Sequence, residues 1–205
     1  MANVLTAEQP EHGALRHGAI ILARHGEPAL SRKVRLSAAE YREFWATYEV
    51  MGLLPGQTPP ATLSGFVAGC RVLVSSTRLR AIESARTLVG ERPFERHEML
   101  IEAPLPPPNF PRWLKLSPKI WGFLARFWWW FFNHHEGQET RREAEARADR
   151  AAALLIDLAA GGGNVVVLAH GFFNYMIGRA LKKRGWKLAE SEGYKYWSVR
   201  RFERS

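Results

Sequence analysis

The sequence predicts an α/β fold, a three-layer sandwich in which helices cover both faces of a mostly parallel central sheet. Short apolar runs of strand length alternate along the chain with segments whose apolar residues recur at helical spacing. Strands that alternate with helices form parallel sheets, because a helical crossover returns the chain to the same end of the sheet. The last strand, at 194–202, alternates apolar and polar residues, so we expect one antiparallel strand at an edge.

Local signals set the bounds of these elements. Ser37, with Glu40 three positions later, has the pattern of a capping box at the start of the first helix, and Gly52 ends that helix. Gly90 and the run 161–163 end two later helices. The predicted strands are 17–24, 71–76, 94–100, 164–169 and 194–202, and the predicted helices are 36–51, 62–69, 77–89, 140–160 and 172–184.

Length and composition predict one globular domain that spans residues 1–205, in which residues 1–16 form a loose leader. The chain has 205 residues, 46% of them apolar, which is enough for a sizeable core. Its 29 basic and 20 acidic residues give a formal net charge of +9. This charge favours anionic partners such as phosphorylated small molecules, nucleic acid or an acidic membrane surface, and does not choose among them.

The cysteine content and the first 18 residues indicate the cellular compartment in which we expect the protein. Cys70 is the single cysteine, so no disulfide is possible within the chain and nothing requires an oxidising environment. The first 18 residues contain no apolar run of the kind a signal peptide needs, and no apolar stretch has the length of a transmembrane segment. We therefore expect a cytoplasmic protein.

Polar groups follow three of the predicted strands directly. The first strand ends at Arg24-His25-Gly26, where the glycine allows a sharp turn. The second ends in Ser75-Ser76, with Arg80 one turn into the next helix, and the fourth ends at His170. The carboxyl ends of parallel strands meet at one edge of a sheet, so these groups should form one basic pocket. Two arginines and two histidines suit a phosphate that is bound without metal.

These residues resemble a known family, the histidine phosphatase superfamily, also called phosphoglycerate mutase-like. The resemblance rests on Leu22-Ala23-Arg24-His25-Gly26-Glu27, on Ser75-Ser76-Thr77-Arg78-Leu79-Arg80-Ala81-Ile82-Glu83-Ser84-Ala85 and on Leu168-Ala169-His170-Gly171. It implies that His25 is the nucleophile that becomes phosphohistidine. It also implies that Arg24 and Arg80 clamp the phosphate and that His170 contacts the transferring group.

The resemblance further implies a carboxylate proton donor after the third strand. Glu98 and Glu102 both qualify by position, and we prefer Glu102 because it lies past the apolar stretch, directly before a proline-rich run. The family often carries an asparagine shortly after its first motif, and the aligned position here is near Ser31. The Ser31 hydroxyl can donate to phosphate, so we include it among the predicted phosphate-binding residues.

Together these features predict a metal-independent phosphatase that hydrolyses a phosphorylated small molecule and needs no cofactor. A mutase must retain a bisphosphate, and the sequence offers no clear second set of phosphate ligands. The alternatives are a phosphoglycerate mutase-type phosphotransferase, and a non-catalytic binding module that works through the aromatic segment 121–132 or the basic C-terminal region. That C-terminal region contains no recognised RNA- or DNA-binding motif, and we do not expect a nucleic-acid partner.

The segment 103–138 is rich in proline and aromatic residues and is predicted to be an insertion or a lid. Within it, residues 121–132 hold eight aromatic residues in twelve positions. Three interpretations are open: a segment packed over the sheet that roofs the active site, a surface for a homodimer, and a helix that lies on a membrane surface.

Overall fold

The computed structural model describes residues 17–204, and a six-stranded sheet forms the centre of this part of the chain. The strands are β1 (Ile20–Arg24), β2 (Val72–Ser76), β3 (Glu95–His97), β4 (Val165–Ala169), β5 (Trp186–Ser191) and β6 (Val199–Arg204). Their order across the sheet is β3-β2-β4-β1-β6-β5. The first four strands are parallel, whereas β6 pairs antiparallel with both β1 and β5.

Helices connect these strands, and all but the one inside the predicted insertion lie at nearly the predicted positions. They are α1 (Ala38–Val50), α2 (Ala61–Ala68), α3 (Leu79–Val89), α4 (Pro118–Phe132), α5 (Arg141–Ala159) and α6 (Gly171–Lys183). The predicted capping box of α1 is confirmed, because the Ser37 hydroxyl accepts from the Glu40 backbone N–H and the Glu40 carboxylate accepts from Ser37. A second capping box, formed by Thr140 and Glu143, starts α5.

Alternate residues of β1 point into two separate apolar cores. Ile20 and Leu22 belong to a core built with α4, α5 and α6. Ile21 and Ala23 belong to a second core, to which α2 and α3 contribute. Since both cores bury one face of the same strand, helices cover both sides of the sheet, and the predicted three-layer α/β class is confirmed.

The antiparallel part of the sheet is a pair of strands at one edge. β6 begins at Val199 rather than at residue 194. It lies between β1 and β5, so β5 is the edge strand. The sequence did not indicate β5, because Trp186 is its one buried residue and its remaining positions carry no apolar run. The predicted strand 94–100 shortens to β3, since residues 98–100 form a 3₁₀ turn.

The predicted insertion at 103–138 contains α4, which packs through one face only. Trp121, Ala125 and Trp129 are fully buried on that face. The Trp121 indole N–H donates to the Leu36 carbonyl at 2.6 Å, and Leu36 also pairs with Leu116 in an antiparallel bridge. These contacts attach the insertion to the chain segment that precedes α1. Its role as a lid stays a prediction.

Two of the predictions concern features that the described structure does not test. The predicted leader at residues 1–16 lies outside the described residues. The assignment of the whole chain to one domain stays a prediction. Within residues 17–204, no helix combines the length and the apolar character needed to cross a membrane.

The Arg147 side chain of α5 fixes the segment that follows β3. It donates two hydrogen bonds to the Glu139 carboxylate, at 2.7 and 2.6 Å. It also donates to the carbonyls of Met99 and Ile101, each at 2.8 Å. A buried cation with four acceptors is costly to remove, because every acceptor would remain without its partner. Arg147 therefore holds in place the backbone that leads to Glu102.

We predict that Arg147→Met lowers the free energy of unfolding by about 2–4 kcal/mol, because it leaves the Glu139 carboxylate and two backbone carbonyls without their donor. Arg150→Met is the matched control, since Arg150 lies one turn later on α5 and is exposed. Urea unfolding of both variants measures the difference. Equal stability of the two variants would contradict the anchoring role.

Candidate active site

Three parallel strands end side by side, and a polar group follows each of them. The register pairs Arg24 at the end of β1 with Ala169 at the end of β4, and the His25 backbone N–H donates to the Ala169 carbonyl at 3.0 Å. This alignment brings His25 next to His170, with ring centroids 5.0 Å apart and ring planes at 63°. The residues predicted from strand ends therefore meet at one edge of the sheet.

The Arg80 guanidinium, in the first turn of α3, contacts both imidazoles. Its Nε lies 3.4 Å from His25 Nε2, and its Nη2 lies 3.3 Å from His170 Nδ1. A guanidinium can only donate, so the ring nitrogen that faces it in each histidine is an acceptor. The opposite nitrogens donate: His25 Nδ1 to the Gly26 carbonyl at 2.7 Å, and His170 Nε2 to Ser76 Oγ at 2.9 Å. Both rings are thus neutral, and His25 Nε2 carries an unprotonated electron pair, which accepts from Arg80.

Burial and nearby cations keep the two histidines neutral. Loss of hydration lowers the pKa of His25 well below its ordinary value, and the charges of Arg80 and Arg24 lower it further. The pKa of His170 is lowered in the same direction, first by burial and then by Arg80. Each ring is only 1% exposed. A neutral imidazole is the form that can attack an electrophile.

Arg24 adds a second cation beside the histidine pair. Its guanidinium lies 4.2 Å above the Tyr196 ring, and its Nη1 donates to the Tyr194 carbonyl at 2.6 Å. Its Nε is buried and has no hydrogen-bond partner within residues 17–204. That donor is available to an anion that enters the pocket.

Glu49 and Arg78 also belong to the site, although the sequence analysis did not select them. The Glu49 carboxylate lies 3.1 Å from Arg80 Nη2 and 2.8 Å from Arg78 Nη2. Arg80 Nη1 donates to the carbonyls of Tyr48 and Glu49 at the end of α1. The position of Arg78, two residues before Arg80, could have indicated that it belongs to the site. Nothing in the sequence distinguishes Glu49 from an ordinary polar residue of a helix.

Arg32 and Arg126 complete the cationic surroundings. Arg32 Nη1 donates to the Tyr196 hydroxyl at 3.1 Å, and the charge of Arg32 contributes to the lowered pKa of His25. Arg126 lines a cavity of about 320 Å³ together with Arg24 and Glu102. Burial lowers the pKa of Arg126, and the carboxylate of Glu102 opposes that shift. Five arginines and two glutamates therefore surround the histidine pair, which makes the pocket strongly positive.

Of the two predicted proton donors, Glu102 is the one whose hydrogen bonds reach the backbone next to His170. Its carboxylate accepts from the backbone N–H groups of Phe172 and Phe173, at 3.3 and 2.8 Å, at the start of α6 directly after His170. It lines the 320 Å³ cavity and also a neighbouring cavity of about 510 Å³. Glu98 is exposed and lines the 510 Å³ cavity but not the 320 Å³ cavity.

Ser31 is exposed, and its hydroxyl accepts from the Lys33 backbone N–H at 3.3 Å. Among the contacts of residues 17–204, none joins Ser31 to the histidine pair, so its phosphate-binding role stays a prediction. The neighbouring Arg32 reaches the site instead, through Tyr196.

The loop between β5 and β6, residues 192–198, closes the site from one side. The Tyr196 ring packs against His25 at 5.7 Å between centroids, and Trp197 Nε1 donates to Gln57 Oε1 at 2.9 Å. Gly26 has no positive φ; its lack of a Cβ instead leaves room for the Trp197 ring, which approaches it closely. Tyr196 and Arg24 therefore pack beside His25, which is almost fully buried.

A family model described as histidine phosphatase superfamily (branch 1) matches residues 61–205. The matched span includes Arg80, Glu102 and His170, and it begins after β1 and His25. No curated protein sequence matches the chain.

Several solved structures share the fold. A phosphoglycerate mutase from Bacillus anthracis str. Sterne has a TM-score of 0.54 at 20% identity, over 93% of this chain and 89% of that chain. A mycobacterial glucosyl-3-phosphoglycerate phosphatase has a TM-score of 0.50 at 22% identity, over 82% of this chain and 81% of that chain. A mutant phosphoserine phosphatase from Entamoeba histolytica, in complex with phosphoserine, has a TM-score of 0.51 at 14% identity, over 81% and 80%. At these identities the likeness establishes the fold alone.

The lowered pKa values predict how stability depends on pH. The unfolded chain binds protons at His25 and His170 near their ordinary pKa of 6.5, whereas the folded chain does not. Stability should therefore fall as the pH drops from about 6.5 towards the folded pKa values, by up to about 1.4 kcal/mol per pH unit for each histidine.

Urea unfolding between about pH 7 and about pH 5 measures this dependence. The double variant His25→Gln with His170→Gln should show a shallower decline than the wild type. His97→Gln is the control and should leave the decline unchanged, since His97 lies at the end of β3 and is partly exposed. A double variant that declines as steeply as the wild type would contradict the neutral state of the rings.

Proposed function

The chain belongs to the histidine phosphatase superfamily, and from that premise we propose that it hydrolyses a phosphomonoester through a phosphohistidine intermediate at His25. The observation that carries the proposal is the contact of one buried guanidinium, Arg80, with the acceptor nitrogens of both His25 and His170. This contact supports His25 as the nucleophile, beside donors that can bind phosphate oxygens.

In the first step, Arg24 and Arg80 bind the non-bridging oxygens of the phosphate, and His170 turns its Nε2–H from Ser76 Oγ to the transferring group. His25 Nε2 attacks phosphorus in line with the leaving oxygen, and a P–N bond forms as the P–O bond breaks. The hydrogen bond from His25 Nδ1 to the Gly26 carbonyl stabilises the positive charge that develops on the ring. Glu102 in its acid form protonates the leaving oxygen, and an alcohol departs.

In the second step, water replaces the alcohol. The Glu102 carboxylate, left ionised by the first step, accepts a proton from the water as its oxygen attacks phosphorus. The P–N bond breaks, the electron pair returns to His25 Nε2, and inorganic phosphate is released. The arginine clamp neutralises the phosphoryl oxygens in both steps, so the reaction as proposed uses no metal ion.

The surroundings of the site support a phosphorylated small molecule as substrate. The two adjoining cavities, of about 510 and 320 Å³, have the size of typical small-ligand pockets. Buried Nε atoms of Arg24, Arg32 and Arg78 have no hydrogen-bond partner within the described residues. These donors offer sites for phosphate oxygens beyond the contact with Arg80.

We propose hydrolysis rather than mutase-type transfer because of the charges near the larger cavity. Glu49, Glu98 and Glu139 line it beside Glu102. Carboxylates there disfavour a second phosphate, which a mutase must retain. The basic residues of the larger cavity are already engaged, because Arg147 is paired with Glu139 and Arg78 with Glu49.

We predict that His25→Ala abolishes hydrolysis of an aryl phosphate, with a loss of activity on the order of 10⁴-fold or more, because the nucleophile is removed. Acid quenching of the wild type with labelled substrate should trap an acid-labile phosphoenzyme that His25→Ala lacks. Chelators should have no effect on the wild type. His97→Ala is the matched control and should retain activity. Full activity of His25→Ala would refute the mechanism.

We predict that Glu102→Gln lowers kcat by about 10²–10⁴-fold for an alkyl phosphate, because the alkoxide leaves poorly without a proton. The loss should be smaller for a nitrophenyl phosphate, whose leaving group needs no proton. Glu98→Gln is the matched control from the same cavity and should change kcat little. If Glu98→Gln instead produced the leaving-group-dependent loss, the role assigned to Glu102 would be wrong.

A further inference from the structure

One face of α4 is apolar and exposed along its whole length. The face consists of residues spaced at i, i+3, i+7 and i+11, which lie along one side of a helix. They are Ile120, Phe123, Phe127 and Phe131, and their exposed fractions are 47%, 65%, 39% and 66%. We call this set the α4 ridge. It lies opposite the buried face of the helix, so it takes no part in packing the fold.

Aromatic contacts make the ridge continuous at its C-terminal end. The Phe127 ring lies 4.8 Å from Phe131 and 6.0 Å from Phe132, measured between centroids. Phe132 is 65% exposed, and Trp113, in the loop before α4, is 80% exposed. Contiguous exposed apolar surface of this kind marks an interaction site rather than ordinary solvent-facing structure.

The chain segment that carries the ridge has basic residues and no acidic ones. Residues 103–135 contain four cations, Arg112, Lys115, Lys119 and Arg126, and no aspartate or glutamate. The first three are exposed and lie at or before the N-terminus of α4. Lys115 Nζ is 3.4 Å from Glu40, so one of these cations has an acidic neighbour from α1.

A second basic segment lies beside the first. The antiparallel bridge between Leu36 and Leu116 joins the loop before α1 to the loop before α4. The Arg35 guanidinium donates two hydrogen bonds to the Lys115 carbonyl, at 3.2 and 3.0 Å. Lys33 is exposed in the same loop. Two sequence-distant basic loops are thus held together at one end of the apolar ridge.

We propose that the α4 ridge docks onto the surface of an anionic lipid bilayer, with α4 lying in the plane of the interface. A helix of 15 residues is shorter than the roughly 20 needed to cross the hydrocarbon core, so it can lie on a bilayer but not span it. Apolar and aromatic side chains enter the interface, and adjacent lysines and arginines bind acidic headgroups.

The charge pattern favours a bilayer over a second copy of the chain. A symmetric dimer places the same patch on both sides of its interface. Two such patches would then bring their cations together, with Glu40 as the one carboxylate paired with them within residues 17–204, and this costs binding energy. An acidic lipid surface supplies the missing negative charge.

Flotation with lipid vesicles tests the proposal without any measurement of turnover. The wild type should bind vesicles of phosphatidylcholine with phosphatidylglycerol and should bind pure phosphatidylcholine far less. The double variant Phe123→Ser with Phe131→Ser should reduce binding about tenfold or more, since both rings lose their place in the interface. Val50→Ser with Leu54→Ser is the matched control, because both residues are exposed apolar residues away from α4. Circular dichroism checks that each variant is folded.

A charge variant keeps the test decisive if the serine variant does not fold. Lys115→Glu with Lys119→Glu should abolish binding to the acidic vesicles, and added salt should weaken wild-type binding. Lys182→Glu with Lys183→Glu, an exposed pair at the end of α6, is the control with the same change in net charge.

Three results would overturn the proposal. The first is no wild-type binding to acidic vesicles. The second is equal binding by the wild type and both α4-region variants. The third is a change confined to self-association, in which sedimentation velocity shows that Phe123→Ser with Phe131→Ser converts a dimer to a monomer while vesicle binding is absent. That third result would assign the ridge to a homodimer interface.

Discussion

The site and the fold both depend on one buried cation, Arg80. Its guanidinium is fully buried, and it donates to the carbonyls of Tyr48 and Glu49, to the Glu49 carboxylate and to both histidines of the candidate site. The last turn of α1 has no basic residue of its own. Arg80 thus supplies the positive charge that favours the C-terminus of that helix. Removal of this cation would leave acceptors from three elements without a partner.

The sequence predicted those elements whose burial produces a simple pattern of apolar residues. A parallel strand with both faces covered appears as a continuous apolar run, and a polar group at its end stands out against that run. This is why β1, β2 and β4 could be predicted, and with them the clustering of His25, His170, Arg24 and Arg80. The fold class followed from the same alternation. The β5 edge strand left no such mark, because all but one of its residues face solvent at least in part.

The remaining parts of the site could not be predicted, because tertiary packing alone selects them. Glu49 lies in the last turn of α1, and Arg126 lies among aromatic residues of α4, where each has an ordinary helical environment in the sequence. Tyr196 comes from a loop whose position depends on how β5 and β6 pair. For Ser31 and Arg32 the sequence could not decide which of two neighbouring side chains turns inward. A shift of the loop backbone by one residue would exchange which of the two side chains faces the site.

The loop that carries Tyr194 and Tyr196 connects two strands adjacent both in the sequence and in the sheet. Its side chains and carbonyls also contact Arg24, Arg32 and Gln57, so its movement would break those contacts while the four parallel strands keep their pairing. Segments of this kind open on the microsecond-to-millisecond timescale, far faster than a domain unfolds. Because Tyr196 packs on the nearly buried His25, opening of this loop would limit how often His25 meets a new molecule. The same loop contributes Trp197 to one of the two apolar cores, so a looser loop in evolution would weaken that core as well as open the site.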